Sequence, residues 1–169
     1  RRVLFRSNRA LMKGGAGDLD LSVGIPLLEV PDRTVSRAEG DIHLFGNPHF
    51  WQSPLNGKIM VATIARKLSE LDAAHAADYA KNAAAYTAKL DAKIAEWQKT
   101  MAPFKGAELI GYHNEWPYLM QFTGLTMSQF LEPKPGVPPG PKQVDALTQY
   151  AKSGKVRGDR KSTRLNSSH

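Results

Sequence analysis

An α/β fold is predicted by three stretches of this 169-residue sequence. Residues 108–131 follow a strand, helix, strand pattern, residues 73–101 form a long amphipathic run, and residues 54–71 read as a capped helix just ahead of it. With 41% hydrophobic and 23% charged residues, the chain can bury a core as one globular domain or two small lobes, so disorder and collagen-like structure are excluded.

Residues 8–46 are rich in Gly, Pro and Asp, with short apolar runs such as 25–30, and read as loops around one short element. Ser53 and Pro54 supply an N-cap and a first-turn proline, after which Leu55, Ile59, Ala62, Leu68 and Leu71 recur at helical spacing, predicting a helix over 54–71. Asp72 is a second N-cap residue. Beyond it Tyr79, Ala83, Tyr86, Leu90, Ile94, Trp97 and Met101 form one stripe at steps of four and three, ended by Pro103. A helix over 73–101 would be roughly 43 Å long, enough to cross between two lobes, although an ordinary core helix fits the pattern equally well. Residues 108–113 then read as a buried strand, 116–123 as a short helix ending at Gly124, and 125–131 as a second strand. The stretch PKPGVPPGP, residues 133–141, can be neither helix nor central strand, and Pro141 starts a last helix over 142–151, which the foreign-looking residues at the C-terminal end are expected to truncate.

The formal charge of +7 would ordinarily point to nucleic acid or an anionic membrane. Its location argues otherwise. Residues 1–7, RRVLFRS, and 159–165, DRKSTRL, can be encoded by opposite strands of one oligonucleotide, whose continuation would translate as NSSH, the sequence of residues 166–169. The oligonucleotide resembles a common short-read sequencing adapter, so 1–7 and 159–169 are expected to be translated adapter, and 8–158 an internal part of a longer product. These ends carry net charges of +3 and +2, which leaves +2 of the +7 for the remainder and no case for a nucleic-acid partner.

Without a cysteine, the chain offers neither thiolate metal sites nor a cysteine nucleophile, and any metal must be held by imidazole and carboxylate. Four histidines lie outside the ends. His49 sits in a Gly-Asn-Pro-His-Phe-Trp turn ahead of a helix, and His113 ends a predicted strand, where open α/β sheets place their ligand groups. Two neutral imidazoles suit Zn²⁺, yet each histidine taken singly reads equally as a hydrogen-bonded structural residue. His43, six residues before His49, is either a third nitrogen or a turn residue, and His75 is expected at the surface. Glu115 and Glu132 flank the expected cleft, as acceptors that orient an imidazole N–H or as plain surface charge. The aromatic residues Trp116, Tyr118 and Phe122 read as a packing face. No Gly-rich phosphate loop, G-x-S-x-G or H-E-x-x-H is present.

The segments SVGIPLLEVP, GDIHLFGNPHFWQSPLNGKIM, YHNEWPYL and FLEPKPGVPPGPKQV occur in that order around the long helix. Together they resemble the metal-binding substrate-binding proteins of zinc and manganese ABC transporters over nearly all of 8–158. The resemblance implies a two-lobed periplasmic α/β receptor, represented here by an internal fragment. Residues 8–72 would belong to the N-terminal lobe, 73–101 would be the rigid inter-lobe helix and 102–158 would begin the C-terminal lobe. It also implies His49 as the metal ligand from the first lobe and His113 from the second, with an upstream His and a downstream carboxylate completing the set elsewhere. Gln52 and Ser53 depart from the Leu-Asp usual after this Trp.

The function implied is capture of Zn²⁺, with Mn²⁺ as the second choice, as transported ligand rather than resident cofactor. The receptor would be periplasmic or membrane-anchored outside the cytoplasm, act as a monomer, catalyse nothing, and deliver the metal to an ABC permease of the inner membrane. Two alternatives stay open: a zinc-dependent hydrolase, for which Glu115 is the candidate base, and a metal-binding adhesin-like module.

Overall fold

The computed structural model describes residues 9–32, 45–132 and 138–159. The expectations for 1–7, His43, most of the proline-rich stretch and 160–169 fall outside the described residues. The chain divides into two compact units, one of residues 1–25 and 54–94, the other of 26–53 and 95–169.

The first unit is helical. Helix α1 spans Pro54–Leu71, the predicted bounds. Residues 73–75 make a 3-10 turn, and α2, Ala76–Met101, supplies its first nineteen residues to this unit. Asp72 does not cap through its side chain. Its carboxylate instead accepts from His75 Nδ1 and from Tyr79 Oη, each at 2.8 Å, and the second bond holds the Tyr79 phenol above its ordinary range. The apolar sides of α1 and α2 meet along a groove of about 270 Å³ lined by Val61, Ile64, Leu68, Tyr79, Ala83 and Tyr86. Lys58 and Asp91 close the far end with a 2.6 Å ion pair. Of the predicted stripe, Ile94 is buried, Tyr79, Ala83, Leu90 and Met101 are half-buried, and Tyr86 and Trp97 are exposed. Among the described residues no helix is long and apolar enough to cross a membrane.

The second unit carries a three-stranded parallel sheet in the order β2-β1-β3, built from β1, Glu108–Gly111, β2, Thr126–Phe130, and β3, Val156–Asp159. The expected strand, helix, strand unit is present, with α3, Pro117–Thr123, between β1 and β2. Pro117 opens α3, where its missing N–H costs nothing, and Gly124 closes it at φ 72°, a left-handed backbone that lets its N–H reach Met120 O at 2.8 Å. Helix α4 spans Pro141–Lys152. Against expectation, its end is not cut off by the adapter-like residues from 159 on but is made locally: Ser153 N–H and Oγ both donate to Tyr150 O, and Gly154 turns the chain at φ 78° into β3.

Strand β3 was not foreseen. The four residues VRGD contain one apolar side chain and hence no readable period, so the strand owes its form to the parallel ladder it makes with β1, Glu108 opposite Val156. Across the other edge, Ser128 Oγ donates to the Glu108 carboxylate, which holds that carboxyl below its usual range with help from Tyr150.

Candidate metal centre

The loops of His49 and His113 both belong to the second unit. Strand β1 is the middle strand, with β2 on one side and β3 on the other, so the chain connections diverge at its carboxyl end. Open parallel sheets leave a crevice at such a switch point. The chain emerges there through Tyr112 and His113, and a tight turn in which Glu115 N–H donates to His113 O at 2.9 Å brings Glu115 back beside the histidine.

The His49 loop is set by Gly46 and Asn47. Gly46 has φ 97°, and a Cβ there would lie 2.9 Å from Leu28 O, so only glycine fits without strain. Its neighbour Asn47 then donates its N–H to Leu28 O at 2.7 Å. His49 follows Pro48 and opens a 3-10 turn over Phe50–Gln52, packing its ring against Trp51 at a centroid distance of 5.3 Å.

Among the described residues, His49, His113 and Glu115 each present one ligand atom within 4.8 Å of the others, and all three are half-buried. His113 Nε2 stands 3.3 Å from Glu115 Oε2. Two donors at about 2.0–2.1 Å from a tetrahedral zinc are about 3.3–3.4 Å apart, so this pair already has the spacing of a tetrahedral edge. The other ring nitrogen, His113 Nδ1, is buried with no hydrogen-bond partner among the described residues. Nε2 is therefore the nitrogen open to a ligand.

The imidazole of His49 is oriented by Asn47, whose Oδ1 lies 2.8 Å from Nδ1 and also accepts the His49 N–H at 3.0 Å. The amide of Asn47 can be assigned, because its Nδ2 faces two acceptors, Glu29 Oε2 at 2.8 Å and Asn114 O at 3.2 Å. Oδ1 is thus the acceptor, Nδ1 carries the proton, and the lone pair of His49 lies on Nε2. Tyr118, 1% exposed, supports the same loop: its hydroxyl donates to Asn47 O at 2.8 Å and accepts the Leu28 N–H at 3.0 Å.

The structure thus brings His49, His113 and Glu115 together. Glu132 is not in the group: it lies two residues past β2, half-buried, with its N–H on Tyr112 O at 2.7 Å. His75 is at the surface, paired to Asp72. Sequence reasoning missed Glu29, Asn47, Asn114 and Tyr118. Asn47 carried a readable signal, since an Asn two residues before a histidine can accept that residue's N–H in an Asx turn. Glu29 carried none, because its partners are 18 and 85 residues away.

The sequence matches the family described as "Zinc-uptake complex component A periplasmic" (ZnuA) over residues 7–158. It is 37% identical over 105 residues to the high-affinity zinc uptake system protein ZnuA of Brucella abortus (strain 2308), an alignment covering 62% of this chain and 31% of that protein. The fold is similar to a crystal structure of ZnuA, with a TM-score of 0.66 and 27% identity over 80% of this chain and 48% of that one. It is also similar to the Zn(II)-bound E280Q variant of AdcAII from Streptococcus pneumoniae, with a TM-score of 0.65 and 27% identity over 83% of this chain and 51% of that one. The chain therefore spans about a third of the length of the curated relative and about half of each solved structure. On this match the chain belongs to the ZnuA family of metal-binding ABC-transporter substrate-binding proteins.

Proposed function

We propose that this chain is the metal-capturing part of an extracytoplasmic receptor that takes up a divalent cation, zinc before manganese, and passes it to an ABC permease. The observation that carries the proposal is the convergence of His49, His113 and Glu115 at the carboxyl end of β1. Two imidazoles and one carboxylate form a borderline set that suits zinc, whereas manganese is better matched by oxygen donors. The family's description as a component of zinc uptake supports the same choice. In this reading Glu115 is a ligand and not only an acceptor that orients an imidazole, the role its sequence position suggested. The ligand role also counts against the hydrolase alternative: the oxygen that would act as base stands in the donor group, 3.3 Å from His113 Nε2.

A cargo site must release its metal, and this one supplies three protein donors on two loops, leaving the rest of the coordination sphere to water or to other parts of a longer protein. Titration of the chain with Zn²⁺ by calorimetry tests the reading. His113→Ala should weaken binding at least tenfold, since each lost donor removes a direct bond, while His75→Ala should leave it unchanged. Equal affinities for the two variants would overturn it.

A further inference from the structure

We propose that Glu29 is a positioning residue that fastens the two histidine loops to each other and so sets the spacing of the metal donors; this rests on the metal reading above. Glu29 Oε2 accepts from Asn47 Nδ2 at 2.8 Å and Glu29 Oε1 accepts from Asn114 Nδ2 at 2.7 Å. Asn47 is two residues before His49, and Asn114 immediately follows His113. One carboxylate therefore holds both loops, and through Asn47 Oδ1 the chain of bonds continues to the His49 imidazole.

The chemistry requires a carboxylate. Two amide N–H donors must be met by two acceptor oxygens on one side chain, and an ionised Asp or Glu supplies these without a donor of its own, whereas an amide supplies one. The backbone points the same way. Glu29 has φ 56°, in the left-handed region that favours glycine, and it is the non-glycine residue with positive φ among those described. Such a conformation costs about 1–3 kcal/mol and persists where surrounding contacts over-determine it. Here those contacts are the two side-chain bonds. Because Glu29 itself is exposed, substitutions there leave the core intact.

The test is a double-variant cycle on the full chain, read by Zn²⁺ calorimetry. Glu29→Gln should weaken zinc binding about tenfold, because one of the two asparagines loses its acceptor. Asn47→Asp should do the same, since it keeps the partner of His49 Nδ1 but turns an oxygen toward the Glu29 carboxylate. Combining the two should recover most of the loss: the introduced amide donates to the introduced carboxylate while its carbonyl still accepts from Asn114 Nδ2, and the longer 3.2 Å bond from residue 47 to Asn114 O is the one that stays lost. A merely structural loss would not be rescued. Wild-type affinity in Glu29→Gln, or losses that add in the double variant, would overturn the clamp.

A second readout needs no metal. Imidazole ¹⁵N shifts should show His49 protonated at Nδ1 in the wild type, a mixture of tautomers in Glu29→Gln, and recovery in the double variant. If His49→Ala and His113→Ala both bind zinc like the wild type, the metal reading fails; if they lose zinc and Glu29→Gln does not, the clamp alone fails. If the wild type takes up no zinc, the metal reading fails and the tautomer series decides the clamp.

Discussion

The helical pair α1 and α2 and the loops around His49 and His113 are held together by different means. The pair relies on regular backbone hydrogen bonds, a shallow apolar groove and surface ion pairs such as Lys58 with Asp91 and Arg66 with Glu70. The histidine loops rely on a polar network in which Glu29, Asn47, Asn114 and Tyr118 satisfy one another across 18 to 90 residues of sequence. Helices tolerate change because their bonds are local and repeated, whereas each bond of such a network is unique, and at its buried members, Asn47 and Tyr118, a missing partner is penalised most. A site that must present donors to within a fraction of an ångström needs the second kind of construction.

This contrast can be broken by substitution. The largest effect is expected at Gly46, where Gly46→Ala places a Cβ 2.9 Å from Leu28 O on a backbone at φ 97°. Strain of this kind costs about 1–3 kcal/mol, so thermal unfolding should shift down by several degrees and zinc affinity should fall with it. Tyr118→Phe comes next. It removes the hydroxyl that joins Leu28 N–H to Asn47 O while keeping the ring, and should cost about 1–3 kcal/mol by chemical denaturation, again with weaker zinc binding. Leu90→Ala sharpens the comparison from the other side. Leu90 is half-buried and packs near Gly57, so the cost should be about 1–2 kcal/mol, below that of a fully buried leucine, with zinc affinity unchanged. A loss of zinc affinity in Leu90→Ala as large as in Tyr118→Phe would erase the distinction.

The same contrast explains what could be read in advance. Pro54–Leu71 was legible to the residue, and the strand, helix, strand unit to within two or three, because caps, prolines and period are written locally. His49 and His113 stood out as imidazoles placed at a turn and at a strand end. The place of Glu115 was half legible: its closeness to His113 was evident, but it read as an acceptor for an imidazole N–H, as surface charge or as a base, not as a member of the donor group. Strand β3 and the Glu29 clamp were not legible, since one depends on a ladder with a strand 48 residues earlier and the other on a carboxylate whose two partners lie in distant loops.

The central claim is that His49, His113 and Glu115 hold one divalent ion. X-ray absorption at the zinc edge of the loaded chain measures this most directly. The account predicts two imidazole nitrogens at about 2.0–2.1 Å with oxygen completing the sphere, and one imidazole in either His49→Ala or His113→Ala. A sphere of oxygens without imidazole scattering, or one that stays the same in both variants, would contradict it.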